Sequence, residues 1–68
     1  MKFDCVHALI LLEDGRAVRR EKWPKNKYIC LMAQGVVSVD WVAPDAYVVK
    51  ECGLKSEDIV ADDWEIQE

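Results

Sequence analysis

Residues 15–23, Gly15-Arg16-Ala17-Val18-Arg19-Arg20-Glu21-Lys22-Trp23 (GRAVRREKW), mark the point where the chain passes from helix to sheet. Gly15 reads as the residue just past a helix end, where a left-handed backbone turn carries no side-chain penalty. Ala17 and Val18 then start an extended run. Arg16, Arg19, Arg20 and Lys22 place four cations within seven residues, and the run ends on the indole of Trp23. The chain as a whole has a formal charge of −4, so this basic patch is a local feature. Cations beside an aromatic face suit a ligand that carries both phosphate and base, the cation for charge and the ring for stacking. A structural salt-bridge seam fits the same residues.

Upstream of this stretch, Asp4 is placed to cap a helix, its carboxylate accepting first-turn N–H groups. Cys5, Ala8, Leu9 and Leu12 follow at i, i+3, i+4 and i+7, one face of a helix over residues 4–14. Val6 and Ile10, with Phe3 beside them, form a second apolar stripe. A surface helix of a monomer needs one such stripe, and the second is read as a wider core face or, by preference, a subunit interface.

Downstream, Pro24 and Lys25-Asn26-Lys27 break the extended segment. YICLM (28–32) is expected as a buried strand, and Ala33-Gln34-Gly35 as a turn. Val37, Val39 and Trp41 alternate with Ser38, Asp40 and Val42, a half-exposed strand hairpin-paired to the previous one. Ala43-Pro44-Asp45 reads as a second turn, AYVV (46–49) as a third strand, and 50–55 as a loop. Ser56 is expected to cap a short helical turn with Glu57 and Asp58 at its positive end, Ile59, Val60 and Ala61 turning inward. Asp62 and Asp63 stop that turn, and Trp64-Glu65-Ile66 is the last strand. The expected architecture is α+β: one N-terminal helix on a small, mostly antiparallel sheet, with a short helical turn before the last strand.

With 68 residues the chain is expected to form a single domain, 1–68. A domain of this size buries only about 60% of its unfolded surface, yet 51% of the residues are apolar. That surplus points to an oligomer. Thirteen acidic against nine basic side chains argue against a DNA or RNA groove, which needs a basic face. The acids gather toward the C-terminus, at Glu57, Asp58, Asp62, Asp63, Glu65 and Glu68. Cys5, Cys30 and Cys52 have neither disulfide-framework nor zinc spacing, and read as reduced, mostly buried thiols. No signal-peptide pattern is visible, and apolar runs such as Ala8–Leu12 are far too short to cross a bilayer. A soluble, intracellular protein is expected.

The chemistry-bearing patterns are few. His7, the single histidine, sits in a first helical turn without the partners of a catalytic dyad or a metal site. Asp62-Asp63 reads as capping and ion-pairing residues. Glycine-rich dinucleotide and nucleoside-triphosphate fingerprints are absent. These patterns favour a binding module with no catalytic residues, no metal and no cofactor. Its candidate groups are the four cations, the rings Trp23, Tyr28, Trp41, Tyr47 and Trp64, and the amide of Asn26. Core or interface packing is the expected role of most of the rings, with Trp23 the exception, since it lies between charged residues beside a loop.

Two blocks, HALILLEDGRAVRREKW (7–23) and SEDIVADDWEI (56–66), joined through a tyrosine-led strand, carry a resemblance. The chain resembles the second-described Thoeris anti-defence family, small phage proteins that act as sponges. The resemblance implies sequestration, without degradation, of a cyclic ADP-ribose-type signal, and in some members of cyclic oligonucleotides, in the cytoplasm of a bacterial host. It implies a homotetramer with ligand pockets at subunit junctions, and no nucleic acid or membrane as partner. By motif match it implies Arg20, Trp23, Asp63 and Trp64 as pocket or pocket-supporting positions, with Asn26 beside them. Larger relatives carry a longer, loop-rich middle where this chain has only Val36–Lys50.

Overall fold

The Asp4 carboxylate accepts the main-chain N–H of His7 at 2.9 Å, which starts helix α1, Cys5–Glu13, where the sequence places it. Gly15 ends it with φ +88°, and its N–H donates to the Leu12 carbonyl at 3.0 Å. The computed structural model describes residues 1–67, and Glu68 lies outside the described residues. After α1 come β1 (Val18–Arg20), β2 (Lys27–Met32), β3 (Gly35–Ala43), β4 (Ala46–Glu51), α2 (Ser56–Ile59) and β5 (Trp64–Ile66). The strands form one antiparallel sheet in the order β4-β3-β2-β1-β5. The architecture is α+β.

Helix α1 packs on β1, β2 and β5. Cys5, Ala8, Leu12, Val18, Ile29 and Trp64 form the core, with Phe3, Leu11, Trp23 and Leu54 packed against it. Each large side chain fully withdrawn from water there contributes roughly 1.5–3 kcal/mol. Leu9, expected on the inner face, is 48% exposed, and Leu11 packs inward instead. Successive residues turn by about 100°, so Leu9 and Leu11 flank a stripe centred between Ala8 and Leu12 equally, and it is the docking of α1 on the sheet that turns Leu11 inward. Val6 and Ile10 face outward.

Strand β1 is shorter than the extended run expected to start at Ala17 and to break after Trp23. It stops at Arg20, whose carbonyl accepts the Trp23 N–H at 3.1 Å in a turn. The strict alternation expected for β3 also fails, because Ser38 is buried along with Val37 and Val39. Ser38 lines the same cavity as the 52–55 loop, which accounts for its burial on the helix side. The short second helix corrects two expectations. Lys55, and not Ser56, occupies the capping position, and Ile59 and Val60 point outward while Asp58 is buried. A one-turn helix presents one narrow face inward, and the charge partners of Asp58 lie there.

Pleating and register assign the two faces of the sheet. Val18, Arg20, Ile29, Ser38 and Trp64 lie on the helix side. Arg19, Glu65, Tyr28, Cys30, Val37, Val39, Trp41, Tyr47 and Val49 lie on the other. Of the thiols expected to be mostly buried, Cys5 is buried, whereas Cys30 and Cys52 are half-buried. Among the described residues no helix is long and apolar enough to cross a membrane.

Candidate functional site

Pairing of β1 with β5 sets Arg20 directly opposite Trp64. The Arg20 guanidinium then reaches two carboxylates that arrive from one connection. Its Nε donates to Asp63 Oδ1 and its Nη1 to Asp58 Oδ1, each at 2.7 Å. The second carboxylate oxygen of Asp58 accepts the Lys55 N–H at 3.0 Å, which holds the start of α2. The Asp58 carbonyl accepts Trp64 Nε1–H at 2.9 Å. Arg20 and Asp58 are both buried, and Trp64 is 0% exposed.

The electrostatics follow from these contacts. Burial pushes the Asp58 carboxyl up, but the Lys55 N–H and the Arg20 guanidinium outweigh it and hold the group below the usual carboxylate range. For Asp63 the Arg20 hydrogen bond is the main cause of a downward shift. The same two acids raise Arg20, chiefly through the Asp63 and Asp58 hydrogen bonds. Arg20, Asp58, Asp63 and Trp64 therefore form one internal tie between the last strand, the short helix and β1.

Trp23 is built onto this tie. Its ring packs edge-on against Trp64, centroids 5.3 Å apart at 78°, and the Lys27 ammonium lies 4.9 Å from a Trp23 ring centroid. Half-buried Trp23 forms one wall of a cavity of about 120 Å³ that also meets Lys27, Ser38, Leu54, Lys55 and Asp58. Its lining includes an indole, two lysines, a serine and two acids, Glu57 and Asp58. Drug-sized ligand pockets run to about 300–1,000 Å³, so this space holds one ring or one phosphate, and a larger ligand would extend beyond it.

Asn26 sits elsewhere. Its side-chain amide donates to the Trp41 carbonyl at 2.6 Å, and its main-chain carbonyl accepts the Trp41 N–H at 2.9 Å, which fastens the 24–27 turn to β3. Arg19 faces the opposite side of the sheet, pairing with Glu65 at 2.5 Å and donating to the Trp23 carbonyl. A cleft of about 530 Å³ opens there, between Phe3, Arg19, Lys25, Glu65 and Ile66. The four cations of the 16–22 segment thus do not converge: Arg19 and Arg20 lie on opposite faces, Lys22 meets Glu57 at 3.6 Å, and Arg16 is exposed.

Of the five expected site residues, Arg20, Asp63 and Trp64 are brought together, Trp23 abuts them, and Asn26 stands apart. Sequence reasoning missed Lys27, Lys55 and Asp58. Lysine has no side-chain acceptor to cap a helix, so Lys55-x-x-Asp58 carries no capping signature, and the reciprocal bond from the Lys55 N–H to Asp58 appears only in the fold. Among the described residues no group of three or more His, Cys, Asp and Glu side chains is placed to hold a metal ion. His7 is exposed on α1, its ring 5.3 Å from that of Phe3.

The family model of the Thoeris anti-defense 2-like domain matches residues 1–67, so the chain belongs to that family. Membership supports an anti-defence role. No curated protein and no solved structure matches the chain.

Proposed function

We propose that this member of the Thoeris anti-defense 2-like family is a non-enzymatic sponge. It binds a cyclic ADP-ribose-type or cyclic oligonucleotide immune signal and withholds it from the defence system, in the cytoplasm of the bacterial host. The protein works as a homo-oligomer, a tetramer by the family resemblance, with the signal held between copies. The observation that carries this reading is the cavity beside Trp23, lined by its indole together with Lys27 and Lys55, with the Lys27 ammonium lying over the ring. A nucleobase needs a stacking surface and a pyrophosphate needs cations, and these residue types supply both. Arg20, Asp63 and Trp64 support that wall from behind: Arg20 donates to Asp63 and to Asp58, whose main-chain carbonyl accepts the Trp64 indole N–H. Asn26 sets the turn between Trp23 and β2. A sponge acts by mass action, so tight binding and abundance serve it where turnover would not.

The test is recovery. Purified protein is mixed with cyclic ADP-ribose isomers or cyclic oligonucleotides, separated from free ligand and heat-denatured. Intact ligand returning to solution supports sequestration, altered ligand means catalysis, and no retention of any of them removes the proposal.

One observation favours a second reading, an interaction module of the same fold without a nucleotide pocket. Arg20 is held inside its own chain by Asp58 and Asp63, and Trp64 is sealed from solvent. Calorimetry on Trp23→Ala separates the two. Lost ligand binding with the oligomer intact favours the sponge, and dissociation of the oligomer favours the interaction module.

A further inference from the structure

The cleft where β1 and β5 meet the N-terminal segment plays no part in the signal site proposed at Trp23. Its volume of about 530 Å³ falls within the range of small-molecule pockets, whereas the cavity of about 120 Å³ beside Trp23 does not. Its walls come from Arg19 on β1, Glu65 and Ile66 on β5, Phe3 ahead of α1 and Lys25 in the 24–27 turn. Arg19 is the unusual member. Its side chain is only 7% exposed, with Nη1 donating to Glu65 Oε2 at 2.5 Å and Nη2 to the Trp23 carbonyl. Nε alone of its three nitrogens has no partner, and among the described residues it is the one buried side-chain polar atom so left. A buried N–H without an acceptor is costly, and native folds seldom keep one unless a water, an ion or a ligand meets it.

We propose that this cleft binds a small organic anion, a carboxylate or phosphate carried on a compact apolar body, with Arg19 as the donor that orients it. The charge balance selects an anion. Arg19 and Glu65 neutralise each other, and Lys25, which makes no ion pair among the described residues, is left as the unopposed charge of the lining. In a chain of net charge −4 that is a local reversal. Phe3 and Ile66, both half-buried, give the body of the ligand an apolar wall. A guanidinium meets an oxyanion through charge-assisted bonds of fixed geometry, and the two bonds that already hold this one limit the freedom it has to lose. The Nε–H is shut from solvent, so the oxyanion reaches it through a small swing of the guanidinium toward the cleft. This site is independent of the sponge reading, and neither needs the other.

Nuclear magnetic resonance on the wild type tests this, with phenyl phosphate, phenylacetate and the uncharged benzyl alcohol as probes. A sealed Nε–H exchanges slowly with water and gives a signal of its own. The Arg19 Nε–H signal, together with the amides of Phe3, Glu65 and Ile66, is expected to move when an anion is added and to stay in place with benzyl alcohol. The Arg20 Nε–H, already bonded to Asp63, is the internal control and is expected to stay in place throughout. Whichever anion moves Arg19 at the lower concentration identifies the group as phosphate or carboxylate. Lys25→Gln, at an exposed position, is expected to fold as the wild type does and to bind about three- to fivefold more weakly, the size of an exposed charge pair. Shifts that gather at Trp23, Lys27 and Lys55 with the Arg19 Nε–H unmoved overturn the site and put the anion in the other cavity. Benzyl alcohol binding as tightly as the anions, Lys25→Gln binding as the wild type does, or no shift with any probe also overturns it. The sponge reading is decided separately, by recovery of the cyclic nucleotides.

Discussion

Arg20 and Asp58 form a salt bridge at 2.7 Å in which both side chains are more than nine-tenths buried. The pair joins residues 38 positions apart, and Asp58 simultaneously caps the helix that carries it. An ion pair so sheltered is weak evidence of net stabilisation, because desolvating both charges offsets their attraction. Its arithmetic changes when one partner is removed, since the other charge is then left buried alone.

Asp58→Ala is therefore expected to be among the most destabilising substitutions in the chain. Breaking a buried pair costs about 3–5 kcal/mol, against a total of roughly 0.05–0.15 kcal/mol per residue for a typical fold. The variant is expected to be largely unfolded at 37 °C by circular dichroism and urea titration. Asp63→Ala, whose side chain is 26% exposed, is expected to cost less. Equal midpoints for Asp58→Ala and the wild type would show that the tie does not hold the C-terminal segment.

The same residues fix an acid limit. The carboxyls of Asp58 and Asp63 titrate lower in the folded chain than in the unfolded one, where aspartate has a pKa of about 3.9. Groups depressed in this way contribute stability above the unfolded value and lose it as pH falls through the folded one. Unfolding free energy is thus expected to be flat from pH 7 to about pH 5 and to drop below about pH 4. Asp63→Asn is expected to flatten that drop. A wild type as stable at pH 3 as at pH 7 would show that the acids are not coupled to folding.

How much of this was legible in advance depends on which contacts are local. The cap at Asp4, the helix end at Gly15, the two hairpins and the strand at Trp64 are signalled within a few residues, and they fall where the sequence puts them. Burial across the chain was less legible. Leu9 looks as apolar as Leu11, and only the docking angle of α1 decides between them. Ile59 and Val60 look like core residues, yet the turn is oriented by Asp58, whose partner Arg20 lies 38 residues away. The basic patch was legible as a composition but not as a place. A strand sends adjacent residues to opposite faces, so Arg19 and Arg20, neighbours in sequence, enter separate ion pairs.

Gly15 gives a test free of packing. It stands at φ +88°, and a β-carbon added there would meet nothing within 4 Å. Gly15→Ala is therefore expected to destabilise only through the backbone, by about 1–2 kcal/mol. In a domain of 60–100 residues each 1 kcal/mol moves the midpoint by about 4–8 °C. Gly15→Asn, which tolerates this region better, is expected to fall between the two. A Gly15→Ala protein that melts with the wild type would mean that the helix end reshapes without cost.

The thiols should react slowly and in a defined order. Burial pushes Cys5, Cys30 and Cys52 all upward, so each holds less thiolate near neutral pH than an exposed cysteine does. For Cys52 the Leu54 main chain and Lys27 pull the other way, which offsets part of the rise. Cys5 also lies inside the core beneath α1, whereas the other two are half-buried. Labelling with a thiol reagent at pH 7.5 is expected to modify Cys30 and Cys52 first, with Cys5 reacting at the rate of local or global opening. Raising the pH to 9 is expected to speed the first two far more than Cys5, whose limit is access. If Cys5 reacted as fast as Cys52 in the folded protein, α1 would be opening readily from the sheet, and the core that positions Trp64 behind Trp23 would be looser than these contacts imply.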